Sequence, residues 1–167
     1  MLEFRAWPKI PRIENEKVLF TEKIDGTNAC VIIDEDGNFG CQSRSRIITP
    51  DNDNYGFAKW ANENKEDLMK LGVGHHYGEW WGQGVQRGYG LSEKRFSLFN
   101  TSRWGEHNLN TPQCCYVVPI IPSVSIEECK QILLENGSLA SPGYARVEGI
   151  IMYNELTKTY YKIILDK

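Results

Sequence analysis

Glu22-Lys23-Ile24-Asp25, running on into Gly26-Thr27-Asn28, sets a candidate nucleophilic amine against a turn rich in hydrogen-bonding groups. A lysine amine attacks only when deprotonated, a state that burial or a neighbouring cation favours. Gly26 allows close backbone approach to a ligand, while the Thr27 hydroxyl and the Asn28 amide can donate to phosphate or ribose oxygens. The set suits covalent capture of a nucleotide. Alone, Lys-x-Asp-Gly is also an ordinary hairpin turn with a solvated lysine, so its weight depends on what accompanies it.

Five further strings follow in order: Ser43-Arg44-Ser45-Arg46, Tyr77-Gly78-Glu79-Trp80-Trp81-Gly82, Phe96-Ser97-Leu98-Phe99-Asn100, Glu148-Gly149-Ile150-Ile151-Met152 and Tyr161-Lys162-Ile163-Ile164. Together with Lys23-x-Asp25-Gly26 and Asn28, they resemble the motifs of the covalent nucleotidyltransferase superfamily of DNA ligases, RNA ligases and capping enzymes. The match is closest to ATP-dependent RNA ligases of the nick-sealing type, whose third motif continues as here through Gly82-Gln83-Gly84-Val85-Gln86-Arg87. The resemblance spans roughly Leu19 to Leu165.

The elements that must position these residues read as α+β. Strand candidates are Val18 to Lys23, Ala29 to Asp34, Phe39 to Ser43, His76 to Trp81, Arg95 to Phe99, Tyr116 to Ile121, Val147 to Tyr153 and Thr159 to Leu165. Asp36-Gly37-Asn38 makes a hairpin of the second and third, and Pro119 with Pro122 makes Tyr116–Ile121 an edge or short element. Tyr55 to Leu71 has an imperfect helical spacing closed by Gly72. Ser125 to Asn136 is a cleaner helix, with Ser125 as N-cap, Glu128 completing a capping box and Gly137 beyond the end. The resemblance implies two antiparallel sheets flanked by helices, the ATP-grasp-like adenylyltransferase fold of ligases and capping enzymes, with the nucleotide held between the sheets.

The 167 residues predict one domain over 1–167 with enough apolar residues for a core. No apolar run is long enough to span a membrane and the N-terminus lacks a signal-peptide core, so a cytoplasmic location and no membrane partner are expected. Five cysteines, an odd number without Cys-x-x-Cys spacing, argue against a disulfide framework or structural zinc. Adjacent His75 and His76 point to opposite faces of a strand, so joint metal ligation is disfavoured. The net charge of −3 is unpromising for a phosphate-gripping protein, but Arg44, Arg46, Arg87, Lys94, Arg95, Arg103, Lys158 and Lys162 accompany the motifs. A local basic face on a mildly acidic body is expected.

By the resemblance, Lys23 attacks the α-phosphorus of ATP to give lysyl-AMP, AMP passes to a 5′-phosphate, and a 3′-OH then displaces AMP. Glu79 should bind the ribose hydroxyls and Phe99 should stack on adenine, with Phe96 the weaker candidate. The backbone of Glu22 and Ile24 should read the adenine edge, and Asn28 should meet a phosphate oxygen. Arg44 should contact the nucleotide or strand end, and Lys162 the α-phosphate. Glu148 should hold a divalent ion, Mg2+ with Mn2+ as a substitute, since hard oxygen ligands suit it.

Two departures from the family pattern stand out. Asn100 replaces the usual aspartate, and Ile164 stands where nick-sealing ligases often carry a second lysine, leaving Lys158 or Lys167 as substitutes. No segment for an oligonucleotide-binding (OB) barrel follows the fifth motif in this sequence, which disfavours capping. The function implied is an ATP-dependent polynucleotide ligase acting on RNA with 3′-OH and 5′-phosphate ends. A minimal DNA ligase, or a non-catalytic nucleotide- or RNA-binding module, is the alternative.

Overall fold

A computed structural model describes residues 1–8 and 17–165. The chain forms β1 (Val18–Lys23), β2 (Thr27–Ile33), β3 (Phe39–Ser43), β4 (Ile47–Ile48), α1 (Phe57–Glu63) and α2 (Lys65–Leu68). Then come β5 (Gly74–Gly82), β6 (Lys94–Leu98), β7 (Cys115–Val117), α3 (Ile126–Asn136), β8 (Gly149–Asn154) and β9 (Thr159–Ile164). These build a three-stranded sheet in the order β1-β8-β9 and a six-stranded sheet in the order β4-β3-β2-β5-β6-β7.

Each sheet buries one face against its own helices. In the larger sheet Ala29, Val31, Ile33, Trp80, Phe96 and Leu98 pack on Phe57, Ala61, Leu68 and Leu71. In the smaller, Phe20 and Ile150 pack with Cys129 and Leu133 of α3. The opposite faces, carrying Thr21, Lys23, Ile151 and Tyr153 on one side and Asn28, Tyr77 and Glu79 on the other, line a shared cleft. Period-2 alternation therefore explains why one strand supplies both core and site.

Several elements differ from the sequence reading. The helix expected over Tyr55–Leu71 is broken at Asn64 and finishes as a 3-10 turn over Met69–Leu71. Its start is capped from upstream: the Asp53 carboxylate accepts from Ala58 N at 2.7 Å and Lys59 N at 3.0 Å. The α3 capping box is relayed. Ser125 Oγ accepts from Glu128 N, but the Ser125 amide donates to Ser123 Oγ, and the Ser123 hydroxyl lies 3.0 Å from Glu128 Oε2.

The larger sheet is mixed rather than antiparallel, because β7 pairs parallel with β6. The strand expected over Tyr116–Ile121 changes sheets partway. Val118 N still donates to Leu98 O, whereas Pro119 O accepts from Glu22 N and Ile121 N donates to Phe20 O. Pro119, which has no N–H to give to a ladder, sits at the crossing. At the crossing Val118 joins Ile24, Trp81 and Tyr89 in a small third core at the base of the cleft.

Candidate active site

The cleft encloses a cavity of about 660 Å³ lined by residues from both sheets, a size that holds a nucleotide. Lys23 ends β1 opposite Gly149 and projects into it. Its Nζ lies 3.0 Å from Glu148 Oε2, both side chains being mostly buried. A Cβ built on Gly149 would collide with the Ile163 carbonyl, so glycine there lets β8 and β9 run close beside the lysine.

The turn after Lys23 presses against β5. A Cβ on Gly26 would collide with the Trp80 carbonyl and the Trp81 Cβ, and that close approach brings Gly26 N to 2.9 Å from Glu79 Oε2. Glu79 pairs with Asn28 across β5 and β2, and both line the cavity. Burial pushes the Glu79 carboxyl up from 4.5 to about 7, against the opposing pull of the Gly26 amide and Lys23. Phe99 follows β6, is 40% exposed and lines the cavity, whereas Phe96 is 0% exposed and sits in the core of the larger sheet. Gly78 makes room for the Phe96 ring, which a Cβ there would strike at 2.5 Å.

Asp25 is held by Arg87, whose Nε donates to Asp25 Oδ2 at 2.9 Å and whose Nη1 donates to the Arg146 carbonyl at 2.7 Å. The guanidinium thus ties the turn after Lys23 to the segment leading into Glu148. Asn100 turns its side-chain oxygen toward Ser102 Oγ and Arg103 N, capping the turn at the cavity edge.

Lys23, Ile24, Asn28, Glu79 and Phe99 gather at the cavity, with Glu148 reaching it through Lys23. Lys162 is exposed on the edge strand β9, paired with the cavity-lining Ile151, and does not itself line the cavity. Arg44 is exposed in the β3–β4 turn, does not itself line the cavity and makes no hydrogen bond among the described residues. Glu22 also lines the cavity; its amide is bonded to the Pro119 carbonyl at 3.0 Å, so of its backbone groups the carbonyl is the one left to read an adenine edge. Lys158 lies in the β8–β9 turn, at the Val18 end of β1 rather than the Lys23 end, too far to replace the lysine absent at Ile164. Lys167 lies outside the described residues.

A divalent ion would find one well-placed carboxylate, Glu148. No group of three or more His, Cys, Asp or Glu side chains suited to a metal occurs among the described residues. This donor set fits an ion such as Mg2+, which keeps several waters and is held by one or two carboxylates together with substrate phosphates. No helix among the described residues is long and apolar enough to cross a membrane.

Comparison with known structures returns Naegleria gruberi RNA ligase in several forms. A lysine-to-methionine mutant with AMP and Mn is 21% identical with a TM-score of 0.65, covering 90% of this chain and 50% of that one. A lysine-to-alanine mutant with ATP and Mn is 21% identical at 0.62, covering 89% and 50%. The ligase with PPi is 22% identical at 0.62, covering 89% and 49%. The fold is shared, and this chain spans about half the length of those ligases. Comparison with curated protein sequences gives no match. The pattern of the RNA ligase family matches residues 16–164, nearly the whole sequence, and the chain belongs to that family.

Proposed function

We propose that the protein is an ATP-dependent RNA ligase that seals 3′-OH and 5′-phosphate ends through a lysyl-AMP intermediate. The observation that carries this reading is Lys23, set at the end of β1 between Glu148 and the Glu79–Asn28 wall of a nucleotide-sized cavity. The RNA ligase family match and the Naegleria ligases with AMP or ATP and Mn support it.

In the first step, deprotonated Lys23 Nζ forms a bond to the α-phosphorus of ATP, the bond to the β-phosphate bridging oxygen breaks, and pyrophosphate leaves. The nitrogen, cationic once bonded to phosphorus, loses one of its two protons and becomes the neutral N–H of the phosphoramidate. Next, an oxygen of the RNA 5′-phosphate attacks the same phosphorus and the Lys23 N–P bond breaks, the lysine nitrogen regaining a proton. Last, a 3′-hydroxyl attacks the 5′-phosphorus, loses its proton and releases AMP.

The residues act mainly by placement and charge. Phe99 offers a face for adenine and Glu79 accepts from the ribose hydroxyls. Asn28 donates to a phosphate oxygen. Lys162, on the cleft side of β9, supplies positive charge to the phosphates, and Arg44 engages the strand end. A divalent ion held by Glu148, Mg2+ or Mn2+, neutralises phosphate charge when bound.

Incubation with ATP and Mg2+ should add one AMP to the intact mass, and Lys23→Ala should not acquire it. Lys23→Ala should still seal a pre-adenylated strand to a 3′-OH, because that step needs no lysine nucleophile. No AMP adduct on de-adenylated wild-type protein would reject the reading in favour of a binding module. Sealing a DNA nick as fast as an RNA nick would reject RNA as the substrate.

A further inference from the structure

We infer that Tyr89 and the carboxylate of Glu22 are positioning residues for Lys23, fixing it from both sides through one closed hydrogen-bonded circuit. The inference rests on Lys23 being the adenylated residue. Upstream of Lys23, Glu22 points to the opposite face of β1, is 1% exposed, and finds its partners in the turn after α3. Its Oε2 accepts from Ser138 Oγ at 2.7 Å, and its Oε1 from Leu139 N at 2.7 Å and Ala140 N at 3.1 Å. Downstream, the amide of Asp25 donates to the phenolic oxygen of Tyr89 at 2.7 Å.

The two anchors are joined to each other. Ser141 N donates to Ser138 Oγ at 2.9 Å, and Ser141 Oγ donates to the Tyr89 carbonyl at 2.9 Å. The circuit runs Glu22, Ser138, Ser141, Tyr89, Asp25 and back along the backbone through Lys23. Every side chain that closes it is buried, with Tyr89 at 1%, Ser138 at 2% and Ser141 at 6% exposure. The Tyr89 ring is wedged between Trp81 and Tyr144, with centroids 5.1 Å and 4.8 Å away. Its backbone adopts φ +56, which a non-glycine residue holds only when its surroundings demand it. Burial drives the Glu22 carboxyl and the Tyr89 phenol both upward, as expected of groups built in as fixed partners.

Tyr89 does not line the cavity, so its hydroxyl acts through the backbone of the turn and not on the nucleotide. Misplacing a reacting group by about 1 Å costs on the order of 10²-fold in rate. Only adenylation uses Lys23 as the nucleophile, so loosening the circuit should slow that step and spare final sealing.

The test measures three quantities for wild type, Tyr89→Phe and Ser141→Ala. They are the single-turnover rate of AMP-adduct formation across ATP concentrations, the sealing of a pre-adenylated RNA strand to a 3′-OH, and the thermal midpoint. Tyr89→Phe keeps the ring and removes only the acceptor, and Ser141→Ala opens the circuit elsewhere. Each should slow adduct formation at saturating ATP by at least about tenfold, with half-saturating ATP unchanged and pre-adenylated sealing within about threefold of wild type. Glu22→Ala should behave alike, and Glu22→Gln, which can keep three hydrogen bonds, should restore most of the rate.

Adduct formation at the wild-type rate in both Tyr89→Phe and Ser141→Ala would overturn the inference. Equal loss of adenylation and pre-adenylated sealing would overturn it too, since that pattern marks general damage to the fold. Failure of the wild type itself to form an adduct would instead overturn the proposed function on which the inference rests.

Discussion

Lys23 and Glu148 form an ion pair of 3.0 Å at the junction of β1 and β8, so the proposed nucleophile and the proposed metal ligand hold each other before either meets its substrate. A cation held by Glu148 would share one carboxylate with the lysine, which occupies its Oε2. Glu148→Gln keeps the size of the side chain and removes the charge that both partners need. It should lower the rate of adduct formation by about 10²–10³-fold, the scale of losing one preorganised electrostatic partner. Added Mg2+ should not restore it. Single-turnover adenylation over a Mg2+ titration checks this, and a variant within a few-fold of wild type would remove Glu148 from the chemistry.

Phe96 and Phe99 lie three residues apart and differ in surroundings. Phe99→Ala should weaken ATP binding by roughly 1–3 kcal/mol, about one base–aromatic stack, with little change in unfolding midpoint. Phe96→Ala, at the centre of the larger core, should cost about 3–5 kcal/mol of stability. Calorimetric titration and urea unfolding separate the two. Stronger loss of ATP affinity in folded Phe96→Ala would reverse the assignment.

Burial raises the Glu79 carboxyl from 4.5 to about 7, which makes stability depend on pH with a definite sign. The folded protein holds this proton to higher pH than the unfolded chain does. The associated stability is therefore fully present below about pH 4.5 and lost as pH rises to about 7, amounting to about 3 kcal/mol at most. Glu22, also raised by burial, contributes with the same sign, so the difference between wild type and Glu79→Gln isolates Glu79. Urea midpoints at pH 5 and pH 8 should show Glu79→Gln gaining on wild type at the higher pH. A variant that loses ground there would contradict the burial argument.

Arg87 reaches Asp25 with Nε and the Arg146 carbonyl with Nη1, a geometry that needs a planar fork. Arg87→Lys should therefore fail to rescue the adenylation lost in Arg87→Ala, both falling about tenfold or more. A lysine variant at full activity would show that charge alone suffices.

Lys23, Asn28, Glu79 and Phe99 were legible as cavity residues through the order of motifs that resemble those of the nucleotidyltransferase superfamily; read singly, the lysine is an ordinary turn residue and the phenylalanine a core one. Strand positions were legible too, since β1, β2, β3, β5, β6, β8 and β9 follow apolar alternation or turn residues. What escaped depends on contacts between distant segments. The parallel pairing of β7 and the sheet change at Pro119 are set by which edges are free, and the proline was the one local signal of a break. The role of the Glu22 side chain left a trace: Phe20 and Glu22 share the face opposite Lys23, so a period-2 reading puts an acid on the core side. Its partners at Ser138–Ala140 lie more than a hundred residues away, and no spacing announces them. Tyr89 has no signal in the sequence, because its hydroxyl contact with Asp25 exists only in the folded chain.

The chain passes from the smaller sheet to the larger at Ile24–Gly26 and back again at Val118–Pro119, and Ile24 and Val118 meet in the third core. The two walls are thus bound along a common spine, like the covers of a book, and the nucleophile is stitched directly beside the binding. Tyr160, beside Tyr153, and His75, beside Ile32, stand at the fore-edge, several residues along their strands from the crossing next to Lys23. A hinge laid along that spine would open the cleft at the fore-edge while the proposed nucleophile stays in register with Gly149.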